Sequence, residues 1–165
     1  MTTTKIAYAA AAALTHTLAS LATSSTLLAG RESTAVDNSS NLYDDAILEG
    51  KIKTGTTTAN TVIEIWVYGE GVSASNYMGQ ATGSDAALTL TDNGFKRLMK
   101  LACVIDVIGT AAATYIFGGI SIAQLFGGVM PRKWGVFVTH NTGNNLDSTG
   151  GNHVVEYIGV TYTSA

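Results

Sequence analysis

Apolar and polar residues alternate in steps of two along most of this chain, and that period constrains the fold more than any other feature. In "AILEGKIK" the even positions Ala46, Leu48, Gly50 and Ile52 are small or apolar, while Glu49, Lys51 and Lys53 take the odd ones. Successive side chains of a strand point to opposite faces, so this segment reads as a strand with one dry and one wet face. "TVIEIWVYGE" puts Ile63, Ile65 and Val67 on one face and Glu64, Trp66 and Tyr68 on the other. "LMKLACVIDV" sets Met99, Leu101, Cys103, Ile105 and Val107 against Lys100 and Asp106. Two further strands fall at "WGVFVTH" and "HVVEYIGVTYT". Weaker ones fall at "RESTAVD", "AALTLT" and "ATYIF", with another around "LTHTLASL".

The separators are turn chemistry: "DNSSN", "TGTTTAN", "TGSD", "TDNG", "TGNN" and "STGGN". About eight or nine short strands broken in this way predict an all-β fold, a single-domain antiparallel β-sandwich of jelly-roll-like type. Helix is scarce. The best case is "SIAQLFGG", where Ser121 and Gln124 have capping-box spacing, Gly127 marks a stop, and Pro131 follows. "AYAAAAAL" has high helix propensity but is short and lacks a clear cap. Lys5 and the apolar residues 6–14 have the outline of a secretory leader, yet one lysine is a thin positive region. We read residues 1–14 as an N-terminal arm whose conformation is set by what it touches, and residues 15–165 as the sandwich.

At 165 residues the chain can bury a core without staples, and Cys103, its only cysteine, excludes an internal disulfide. Charged residues make up 13%, about half the ~25% usual for soluble domains. The surface therefore meets water through Thr, Ser, Asn and Gly, which suits packing against other copies. The net charge of −3 argues against a nucleic-acid partner. Lys96, Arg97 and Lys100 form the densest positive cluster, with Arg132 and Lys133 next; both are small. No apolar run approaches the roughly 20 residues of a membrane-crossing helix. We expect neither nucleic acid nor membrane as partner.

The segment "THNTGNNLDSTGGNH" carries His140, Asp147 and His153. Zinc wants three or four ligands, usually with a closely spaced pair, and calcium wants a crowd of carboxylates. Neither pattern is present, whereas a hairpin tip explains the Gly and Asn content. Cys103 falls on an apolar strand face and reads as an inert thiol. Asp44 and Asp45 are adjacent, so on a strand they point apart and do not make a facing acid pair. We expect no catalytic residues, no metal and no cofactor, and hence no enzyme. Trp66 and Tyr68 share the face opposite the aliphatic one, where they can anchor a partner, stack on sugars, or lie under a loop. With Ile6 and Tyr8 of the arm, they are the candidate partner contacts.

"TLASLATSSTLLAGRESTAVDNSSNLYDDAILEGKIKTG" and "LFGGVMPRKWGVFVTHNTGNNLDSTGGNHVVEYIGV" resemble a group of small structural proteins of tailed bacteriophages. The resemblance spans roughly residues 17–160, the middle matching mainly in strand pattern. It implies a many-copy virion component, a capsid decoration or cement protein, with a neck or tail component as the nearest variant. The implied partners are the major capsid protein or other virion proteins, with homo-oligomerisation in the assembly, and the implied location is the virion, assembled in the host cytoplasm. A carbohydrate-binding module on the same sandwich, with Trp66 and Tyr68 as its platform, is the alternative from another class.

Overall fold

The structure is a computed structural model that describes residues 3–72 and 76–164. Its strands are β1 (Thr4–Tyr8), β2 (Ala12–Ala13), β3 (Ala29–Glu32), β4 (Val36–Asp37), β5 (Asp45–Lys53) and β6 (Thr61–Gly69). They continue as β7 (Ala86–Thr89), β8 (Lys100–Val107), β9 (Thr114–Ser121), β10 (Lys133–His140) and β11 (Val154–Ser164). The α-helices are short: α1 (Asn38–Asn41), α2 (Asn93–Leu98) and α3 (Ile122–Leu125). The strands form two antiparallel sheets. One has the order β1-β11-β5-β9, with β2 also on β11; the other has the order β7-β3-β10-β6-β8, with β4 also on β10. The chain is an all-β sandwich, as its period predicts.

The main core lies between the sheets. Ala46, Leu48 and Ile52 of β5 point inward with Ile63, Ile65 and Val67 of β6, and Trp134, Val136 and Val138 of β10 complete the layer. These are the aliphatic sets that the alternation selects. Burying one such side chain is worth roughly 1.5–3 kcal/mol against leaving it in water, so together they dominate the stability.

A second core covers the reverse face of the β10 sheet. Tyr68, Phe137, Leu88, Leu90 and Met99 are buried there, with Trp66 and Tyr77 packed against them. It forms because parts of the connection from β6 to β8, including Tyr77, Met78, Ala81 and Leu90, pack against that face, while β7 joins the edge of the sheet beside β3. As a result every β10 residue after Lys133 is buried, and the face of β6 opposite the main core is half-buried or buried.

Four expectations need correction. "LTHTLASL" is not a strand: its leucines recur at steps of four and three, not two. Leu14 and Leu18 drop into the main core while the backbone crosses the sandwich as an irregular strap. "RESTAVD" is interrupted, giving β3 and β4 on either side of residues 33–35. In β8 the register shifts opposite Ile65 and Trp66, so Leu101 leaves the dry face and is 43% exposed. "TDNG" opens a helix as well as a turn, because the Asp92 carboxylate accepts from the N–H groups of Gly94 and Phe95 and caps α2.

The "SIAQLFGG" reading holds. The Ser121 hydroxyl accepts from the Gln124 N–H at 3.1 Å, and Gly127 and Gly128 take positive φ just past the end. Asp45 adds a second cap, accepting from the Ala123 N–H at 2.8 Å and the Ser121 hydroxyl at 2.6 Å. Its neighbour Asp44 accepts from the Tyr162 N–H at 2.7 Å. The acidic pair is thus committed to two different backbone anchors.

Candidate interaction surface

The hairpin tip holds its histidines for structure. His140 is fully buried, and its Nε2–H donates to the Leu21 carbonyl at 3.0 Å, since a carbonyl can only accept. That tautomer leaves Nδ1 to meet the Thr142 hydroxyl at 2.9 Å. Burial holds the His140 pKa below its ordinary value. His153 donates from Nε2 to the Asp147 carbonyl at 2.8 Å and accepts the Lys53 N–H on Nδ1 at 3.4 Å. Asp147 accepts from Asn152 Nδ2 at 2.8 Å and from the Thr149 N–H at 2.9 Å. These bonds, with Lys53 at 3.2 Å, keep its carboxyl well below the usual carboxylate range. Rings and carboxylate are all engaged by the chain's own backbone and side chains. They close a loop.

Trp66 and Tyr68 stand differently from their expected outward display. Tyr68 is fully buried, its hydroxyl donating to the Ser33 carbonyl at 2.5 Å, and its ring fills the space that Gly135 leaves empty. Burial pushes its phenol pKa up. Trp66 is half-buried; its Nε1–H donates to Glu64 Oε2 at 2.8 Å, and the Lys96 ammonium lies 5.4 Å from its ring centroid. Lys96 also pairs with Glu64 at 3.0 Å and donates to the Leu27 carbonyl at 3.2 Å. The head of the densest basic cluster is therefore an internal tie. Neither aromatic ring offers an open stacking platform. Cys103 is half-buried, and burial raises its thiol pKa.

Ile6 and Tyr8 are both exposed. The arm does not leave the domain: β1 runs antiparallel along β11 with Thr4 opposite Ser164, Ile6 opposite Tyr162 and Tyr8 opposite Val160. All of β1 is exposed, because it pairs with the end of β11 that extends past β5. The result is a two-stranded ribbon projecting from the sandwich. Residues directly opposite share a face, so Ile6 (54% exposed), Tyr8 (67%) and Tyr162 (56%) form one apolar patch. Lys5, Ala7, Thr161 and Thr163 lie on the other side. Tyr162 escaped the sequence reading, although the alternation in "VTYTS" carries it. The face is legible only once the register between the two ends of the chain is known.

The pairing of β5 with β11 sets Glu49 directly opposite Glu156 on the outer face, beside Ile116 and Val154 in a shallow depression. Like charges directly opposed are unfavourable. A second apolar group, Leu98, Leu101 and Val104, is partly exposed near α2 and β8. No group of three or more candidate ligand side chains converges as a metal site among the described residues. No family model, curated protein or solved structure matches this chain.

Proposed function

We propose that the protein is a structural component of a tailed-bacteriophage virion, a capsid decoration or cement protein that holds shell subunits together by many repeated contacts. The observation that supports this reading is the projecting ribbon, which places Ile6, Tyr8 and Tyr162 in water at the rim of a rigid sandwich. Leaving such side chains exposed gives up the stabilisation of burying them, so the patch has use only against another surface. In a repetitive shell each such contact recurs, and modest affinity per contact becomes firm attachment through effective concentration. A neck or tail position would use the same surface. The sugar-platform alternative has no comparable support, because Tyr68 is covered and Trp66 is engaged with Lys96 and Glu64.

The test is quantitative mass spectrometry and antibody-labelled electron microscopy of particles encoded by the same genome. Many copies on the head support the proposal. Absence of the chain from purified particles overturns it. An Ile6→Asp/Tyr8→Asp variant is expected to fold normally and be lost from particles.

A further inference from the structure

We infer that the free edge of β1 pairs antiparallel with β1 of a second copy, about a two-fold axis passing beside Ile6. This rests on the reading of the ribbon as adhesive and names its occupant. The Ala9 N–H donates to the Gly159 carbonyl at 2.8 Å, and the register continues unbroken from that pair into β1. In an antiparallel pair, hydrogen-bonded and non-hydrogen-bonded positions alternate. The odd residues of β1 therefore direct their N–H and C=O groups at β11. Thr4, Ile6 and Tyr8 direct theirs away from it, toward the open edge.

Those three residues define one best register. With Ile6 opposite Ile6 of the second copy, Thr4 faces Tyr8, and all three residues of each strand find backbone partners. Lys5 then falls opposite Ala7. Sliding the axis to Lys5 sets two lysines directly opposite, which is unfavourable. Sliding it to Ala7 leaves Thr4 unpaired. In the Ile6 register the two ribbons join in one continuous sheet, and Ile6, Tyr8 and Tyr162 of both copies come together on one face.

The other sheet edges are poorer templates. The β9 edge has a register shift between Leu48 and Gly50 and a positive φ at Gly119. The β8 edge is bulged and carries Lys100 and Asp106, while β7 has four residues. Bulges and charges of this kind are what keep edges from pairing. β1 is regular along its length and pairs with β11 without a shift.

The experiment uses the full chain in sedimentation velocity between about 1 and 100 μM. Wild type is expected to show a monomer–dimer equilibrium. Ile6→Pro removes a donor that faces the open edge and fixes φ at an edge-strand position where proline is tolerated, and is expected to weaken the dimer about tenfold or more. A second variant guards against misfolding of the first. Ile6→Cys in a Cys103→Ala background is expected to oxidise to a disulfide-linked dimer, since paired Cα atoms at about 5.5 Å fit that bond. Leu42→Cys in the same background, 74% exposed on another part of the surface, is expected to form no disulfide-linked dimer. A wild type that is monomeric throughout, or a dimer insensitive to Ile6→Pro with no Ile6→Cys crosslink, overturns the pairing. A monomer that still needs Ile6 and Tyr8 for particle attachment refutes this pairing and leaves the adhesive role. A β1 dimer absent from every particle does the reverse.

Discussion

Replacing Lys96 with methionine is expected to destabilise the protein by about 3 kcal/mol, through loss of a covered charge tie and not of surface electrostatics. The Lys96 and Glu64 side chains are only 9% and 16% exposed, and their charged atoms stand 3.0 Å apart. Breaking a buried pair from one side costs roughly 3–5 kcal/mol, because the remaining charge is left without its partner. The low end applies here: Glu64 keeps the Trp66 N–H and some contact with water. Methionine preserves much of the packing volume, so the loss reports the ammonium, including its bond to the Leu27 carbonyl. At about 2–4 °C per kcal/mol for a chain this size, the midpoint should fall by about 6–12 °C. Urea and thermal unfolding followed by tryptophan fluorescence measure this. A Glu64→Gln/Lys96→Met double variant should lose less than the sum of the singles by about 1–2 kcal/mol. A Lys96→Met loss under about 0.5 kcal/mol, with additive singles, would refute the argument. The second core would then be held by its apolar side chains alone.

Three further outcomes follow from named contacts. Burial lowers the His16 pKa to about 4, so the unfolded chain takes up its proton first; this contribution to stability is full above about pH 6.5 and is lost as pH falls toward 4. His16→Gln should therefore narrow the stability difference between pH 7 and pH 4.5 in urea titrations relative to wild type, and an unchanged difference would show that the ring is not the proton acceptor. Gly135→Ala places a methyl group into the buried Tyr68 ring and should cost about 1–3 kcal/mol by overpacking, whereas Gly151→Ala, with open space around it, should stay within about 0.5 kcal/mol. Leu18→Ala should cost about 2–5 kcal/mol in chemical denaturation, because this strap residue is 1% exposed within the main core.

The two-sheet architecture was legible because period two is a local signal: each of β5, β6, β10 and β11 carries its own inward set. What was not legible depends on relations between distant segments. The burial of Tyr68 follows from residues such as Tyr77, Ala81 and Leu90 packing on the back of the sheet, and nothing near Tyr68 in sequence announces that cover. The strap failed as a strand for the opposite reason, since its leucines follow no strand period and are placed by the gap between two sheets. Ile6 and Tyr8 were singled out, but their face became definable only through Tyr162, 156 residues after Ile6 in the chain. The opposition of Glu49 and Glu156 is likewise a product of register alone.

The placement of charge explains why this surface can be adhesive. Five of the nine basic residues, Arg31, Lys53, Lys96, Arg132 and Lys133, pair with the chain's own carboxylates. On β1 the only charge is Lys5, which lies opposite the apolar face. Unpaired edges normally carry inward charges, proline or bulges because they otherwise recruit other strands. An edge with one lysine and neither proline nor bulge, beside three exposed apolar side chains, is a liability unless something occupies it. This gives a sharp contrast. Ile6→Lys should raise solubility and leave the unfolding midpoint unchanged within about 0.5 kcal/mol, since Ile6 is already exposed. A loss comparable to that of Leu18→Ala would mean that Ile6 serves the fold itself, and the ribbon would then be a structural brace with no adhesive role.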